Sequence, residues 1–138
     1  MNYTVKGSLD EDYFAYLTVF AFNTDTYEVC KDLKAIVDTG AQDCLIKKSL
    51  AAKLGLHSVD KFKVLNPEGG IIDSDYFKLG LIVDTENYMD TSKYIVIKMG
   101  ALEEEGFPAD MILGGTFLRH ARFSYDGTMR TFEVQIAL

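Results

Sequence analysis

Hydrophobic positions fall mostly in short runs and alternations, and these predict strands rather than long helices. From Tyr13 to Phe22 the apolar residues occupy both parities, as in a strand covered on both faces. A turn at Asn23 to Thr26 follows, and a second strand from Tyr27 runs through Ala35, Ile36 and Val37 to Asp38. Leu45 and Ile46 predict another short strand. Residues 49–56, SLAAKLGL, predict a short helix capped by Ser49 and stopped by Gly55. Two strand-like runs flank Asn66, Pro67, Glu68 and Gly69, whose types suit a type I turn, so this region reads as a hairpin with a glycine-tipped end.

Further along, YIVIKM (94–99) predicts a strand and ALEEEGFPAD (101–110) a polar loop. DMILGG (110–115) reads as an apolar strand meeting two glycines, with a short helix after it. The tail reads as a hairpin turning at Asp126 and Gly127. In its last strand Phe132, Val134 and Ile136 alternate with polar residues, and as a chain-end strand it is expected to be open to pairing with another copy. No repeat, linker or low-complexity segment interrupts the pattern, so residues 1–138 read as one domain.

Composition sharpens this picture. A chain of 138 residues buries roughly 68% of its unfolded surface on folding, enough for a real core. Hydrophobic residues make up 48%, with 9 Phe and 8 Tyr, which favours a β-rich interior. The net charge of −7 offers no basic footprint for nucleic acid and disfavours an acidic membrane surface. The start, MNYTVKGSLD, lacks a cationic segment followed by an apolar run, and the longest apolar stretch is too short to span a bilayer. Cys30 and Cys44 have neither CxxC spacing nor a nearby His, so they read as buried reduced thiols and the location as cytoplasmic. No metal or other cofactor is expected. His57 and His120 read as ordinary surface or core residues, and Glu103 to Glu105 as a solvated loop face. Asp73, Asp75 and Asp84 lack calcium-loop spacing.

The chemistry gathers at KAIVDTGAQDCLI (34–46). Asp38, Thr39 and Gly40 allow three readings. The Asp can be a turn residue, with Gly40 supplying a positive φ. It can serve phosphoryl chemistry, which wants further acidic metal ligands downstream; only Asp43 is near. Or it can be half of a pair of carboxylates.

The third reading has a specific carrier. The segment AIVDTGA followed much later by DMILGG resembles the retropepsin-like aspartic proteases, in which a second segment of two hydrophobic residues and a glycine packs beneath the catalytic loop. Ile112, Leu113 and Gly114 match that segment. The order of elements fits over roughly residues 13–132, while the specific matches number about eight residues. The resemblance implies a mainly β, closed barrel-like domain with short helices, one half of a pepsin-type bilobal site. It implies an aspartic endopeptidase acting on a peptide or protein substrate. With a single Asp-Thr-Gly per chain, it further implies a homodimer in which two copies of Asp38 share a water.

Two carboxylates about 3 Å apart at an effective dielectric near 20 repel by about 5.5 kcal/mol, or about 4 pKa units, so such a pair keeps one proton between them and works best below neutral pH. By resemblance, Thr39 hydrogen-bonds across the dyad, Gly40 offers an N–H to the carboxylate, Ala41 keeps the floor small, and Gly69 and Gly70 let a flap close over the peptide. Retroviral members pair an acidic residue with an Arg at two places that here hold Gln42 and Gly115, so that support of the dimer contact is missing. A rival of another class is a domain of the same fold that dimerises or binds peptides without cutting them.

Overall fold

The computed structural model describes residues 2–65, 68–83 and 94–137. Among these residues ten strands and two short helices follow in the order β1 (Asn2–Ser8), β2 (Tyr16–Phe22), β3 (Val29–Val37), β4 (Cys44–Lys47), α1 (Lys48–Lys53), β5 (Ser58–Leu65), β6 (Ile71–Val83), β7 (Ile95–Leu102), β8 (Met111–Leu113), α2 (Gly115–Leu118), β9 (Ala121–Asp126) and β10 (Thr131–Ala137). The expected Asn66–Pro67 corner of the hairpin, and Asp84, lie outside the described residues.

The larger sheet runs β2-β3-β8-β4-β7-β6-β5, and β2 also pairs with β6. Six strands therefore close into a barrel, which leaves them no free edge within the ring. The length of β6 makes this possible. Residues 71–77 pair with β5, whereas Gly80 to Val83 pair with Phe22 to Val19 of β2. Gly80 is required at the crossing because the Phe22 ring lies over it; a Cβ there would come within 2.2 Å of that ring. The barrel is filled by alternate side chains, among them Val19, Ile46, Leu79, Leu81, Met99, Met111 and Leu113, with Phe117 and Leu54 added from the helical segments.

Several expectations are corrected in physical detail. The first apolar run is not buried on both faces: Leu17, Val19 and Ala21 enter the core, while Tyr16, Phe20 and Phe22 are half-buried and Thr18 is exposed. Local partners cover its outer face, with Lys34 Nζ 4.0 Å from the Tyr16 ring centroid and Tyr94 5.2 Å from that of Phe22. Nor is the last strand open. β10 is the middle strand of a second sheet, β1-β10-β9, paired from Asn2↔Ala137 to Ser8↔Thr131 on one side and with β9 on the other. The alternation of Phe132, Val134 and Ile136 was read correctly, since all three are buried. The partner strand was missed because NYTVKGS carries too few apolar residues to announce itself.

Gly55 does stop α1, at a positive φ of 68° one residue beyond its C-cap. Ser49 does not cap it. The Ser49 backbone N–H and hydroxyl both donate to the carboxylate of Glu105, so a loop distant in the chain satisfies the helix start. Glu103 nearby faces Lys48 at 3.6 Å and accepts from the buried Ser74 hydroxyl; Glu103 to Glu105 are exposed, as expected of a solvated loop face, and two of them also tie that loop to the barrel. Both cysteines are free and buried.

Candidate active site

Strand β3 delivers Asp38 to the rim. Its last residues pair in parallel with β8 (Ala35↔Met111, Ile36↔Ile112, Val37↔Leu113), and the Asp38 N–H continues the ladder by donating to the Leu113 carbonyl at 3.0 Å. The core-facing residues end at Val37, and Asp38, Thr39 and Gly40 are exposed. The loop then turns tightly. The Ala41 N–H donates to the Asp38 carbonyl at 3.2 Å, and the Gly40 N–H donates to Asp38 Oδ1 at 2.9 Å. One carboxylate oxygen is thus anchored to the loop's own backbone, while the side chain stays exposed.

The second motif lies directly against this loop. A Cβ on Gly114 would stand 2.5 Å from both the Ala41 and the Asp43 carbonyl oxygens, so only glycine lets the two segments touch. The Gly115 N–H donates to the Ala41 carbonyl at 2.8 Å, and the Thr116 N–H and hydroxyl donate to that of Gln42 at 3.1 and 3.3 Å. Gln42 and Gly115 therefore lie side by side in two segments joined through backbone rather than through ionised side chains. A Cβ on Gly115 would be 2.9 Å from the Gln42 carbonyl. Beneath them the Cys44 thiol points at the Gly114 carbonyl, and burial pushes its pKa up, which keeps it a neutral packing group.

The sequence-predicted residues separate into two groups. Asp38 to Ala41 and Ile112 to Gly114 converge, with Leu113 and Gly114 buried and Ile112 half-buried. Gly69 and Gly70 lie at the exposed tip of the β5–β6 hairpin, where Gly69 has a φ of 86°. The hairpin meets the Asp38 loop at its base, where the Tyr76 hydroxyl donates to Asp43 Oδ2 at 2.8 Å.

Sequence reasoning missed that pair, and it missed a cleft beside Asp38. The cleft, of about 240 Å³, is lined by Tyr13, Phe14, Ile36, Phe123 and Tyr125 together with Asp38 and Thr39. Tyr13 adopts a φ of 66°, its carbonyl accepts from the Tyr125 hydroxyl at 2.8 Å, and the Arg130 guanidinium lies 4.5 Å from its ring centroid. The apolar run predicts Tyr13 and Phe14 at the start of a strand, but they precede it and are about half exposed. Their order in DEDYFAY, aromatic residues directly after an acidic turn, was the available signal.

Among the described residues no three His, Cys, Asp or Glu side chains gather as a metal site, and no helix is long and apolar enough to cross a membrane.

A closed β-barrel with an Asp-Thr-Gly loop seated on a hydrophobic-hydrophobic-Gly segment is the retropepsin-like arrangement. The family profile described as aspartyl protease matches residues 28–117, a span holding both segments, and the chain belongs to that family. Among solved structures, the chain is similar to a retropepsin-like aspartic protease from Rickettsia conorii, at 21% identity and a TM-score of 0.62, covering all of this chain and 96% of that one. It also matches the retroviral protease-like domain of Ddi1 from Leishmania major, at 17% identity and a TM-score of 0.46, with 83% of each chain covered. No curated protein matches the sequence.

Proposed function

We propose that the chain is an aspartic endopeptidase, acting as one domain over residues 1–138, in which Asp38 from two copies forms the catalytic dyad. The observation that carries this reading is the exposed Asp38 carboxylate, anchored through Oδ1 and standing on a loop braced from below. One chain supplies one such group. Hydrolysis of a peptide without metal or covalent intermediate needs a base and an acid together, and a second copy provides the missing partner.

In the mechanism, the ionised carboxylate takes a proton from water as its oxygen attacks the scissile carbonyl carbon. The protonated partner gives its proton to the carbonyl oxygen, producing a neutral gem-diol. Collapse returns a hydroxyl proton to one carboxylate while the C–N bond breaks, and the amine leaves with the proton held by the other. Thr39 hydrogen-bonds across the two-fold axis, and Ala41 keeps the floor low. Gly69 and Gly70 let the hairpin tip fold onto an extended peptide, whose main chain aligns with strand edges. The aromatic cleft beside Asp38 and Thr39 supports the two-copy arrangement, because it offers apolar surface next to the carboxylate for the second chain to cover.

The test is Asp38→Asn. It should lower cleavage of an unfolded protein or a peptide by roughly a thousand-fold, leaving the sedimentation coefficient of the dimer unchanged, and the parent should be most active below neutral pH. Undiminished cleavage by the Asn variant overturns the assignment. A parent dimer that captures peptide without turnover between about pH 3.5 and 7 supports instead the silent peptide-binding domain of the same fold.

A further inference from the structure

The Tyr76–Asp43 contact joins two parts of the proposed site that otherwise have little in common. Asp43 ends the loop that begins at Asp38, immediately before β4. Tyr76 lies in β6 where the hairpin leaves the barrel, opposite Asp60 of β5 and opposite Gly100 of β7.

Its ring is fixed from several directions. Phe62 packs against it with centroids 4.4 Å apart, and the Lys98 ammonium lies 4.4 Å from its centroid while reaching Asp60 at 3.5 Å. Gly100 makes the arrangement possible, since a Cβ there would come within 3.0 Å of both the Phe62 ring and a Leu45 methyl. With the ring so confined, the hydroxyl has a defined direction, and it meets the Asp43 carboxylate at 2.8 Å. The bond to this carboxylate also raises the phenol's pKa, so the tyrosine remains a donor through the whole neutral and acidic range. Asp43 is in turn tied to the second motif, because its backbone carbonyl lies against Gly114.

We propose that the Tyr76–Asp43 hydrogen bond is a latch that sets the position of the β5–β6 hairpin relative to the Asp38 loop, making Tyr76 a positioning residue for peptide binding. The inference rests on the reading of that loop as the catalytic one. The latch fixes the end of the hairpin that stands next to the Asp38 loop. A peptide entering between hairpin and loop then meets a preset gap rather than having to order the hairpin itself.

Tyr76→Phe removes the hydroxyl and keeps the ring packed on Phe62, so it tests the bond without emptying the site. For a peptide substrate it should raise KM roughly five-fold, the scale of a typical hydrogen bond's net contribution, with kcat within about two-fold of the parent. Asp43→Ala should do the same, and the double variant should be no worse than either single one. Effects that multiply, or a fall in kcat at constant KM, overturn the latch. Amide hydrogen exchange gives a readout independent of cleavage: residues 58–65 and 71–77 should exchange about five-fold faster in Tyr76→Phe, and unchanged protection overturns the proposal. Asp38→Asn is assayed alongside. If it still cleaves, the protease reading falls while the exchange result continues to judge the latch.

Discussion

The Asp38 loop and the β5–β6 hairpin are both parts of one proposed site, yet they are packed very differently. The loop is held by backbone hydrogen bonds and by two glycines pressed against carbonyl oxygens. The hairpin reaches beyond the barrel, is exposed along most of β5, and shows Leu65 and Ile71 to solvent at 75% and 68% exposure. Its two strands pair with each other through their own antiparallel ladder, and the side-chain support added across them is Lys61–Asp75 and Lys63–Asp73, at the surface. Groups that must hold a carboxylate in register need contacts that cannot rearrange. A segment that must admit a peptide needs contacts that can.

Glycine substitutions should break the comparison most sharply. Gly114→Ala forces a methyl into two carbonyl oxygens at 2.5 Å, and it should cost about 3 kcal/mol of stability in urea unfolding. A Cβ on Gly69 would meet nothing within 4 Å among the described residues, so Gly69→Ala meets only the strain of its φ of 86°; the expected cost is about 1 kcal/mol. Thr116→Val, which deletes the hydroxyl bond to the Gln42 carbonyl but leaves the backbone bond in place, should cost about 0.5 to 1 kcal/mol.

The smallest expected effect is on the hairpin alone, in acid. Hydrogen bonds from Lys63 and Lys61 hold the Asp73 and Asp75 carboxyls below the ordinary carboxylate range. A depressed folded pKa means the contribution is fully present above the unfolded value, about 3.9, and is lost as pH falls through the folded one. Hydrogen exchange in 58–65 and 71–77 should therefore quicken, relative to the barrel, as pH drops below about 4. Salt should produce the same selective loosening at neutral pH. Equal loosening of barrel and hairpin would erase the distinction.

Much of this was legible along the chain because it is local. The run into Asp38, the hairpin around Gly69, the apolar strand before Gly114 and the alternating tail each announce themselves within a dozen residues. What was not legible depends on partners far apart in sequence. Ser49 has the right chemistry for a cap, yet Glu105 supplies it from the far end of a loop. β1 carries a weak pattern and exists because β10 offers it an edge. The Tyr76–Asp43 bond needs Gly100 to clear space, and nothing near either residue reveals that. Gln42 and Gly115 look like a lost ion pair in sequence, whereas in space their segments are joined by backbone bonds from Gly115 to Ala41 and from Thr116 to Gln42.

The parallel pairing of β3 with β8 also has a consequence during synthesis. Asp38 emerges from the ribosome early, but Leu113, Gly115 and Thr116, which give its loop a shape, are made only after most of the chain. Contacts so distant are slow to form and come late. A nascent chain ending before Met111 carries the acidic group without the backbone scaffold that aims it.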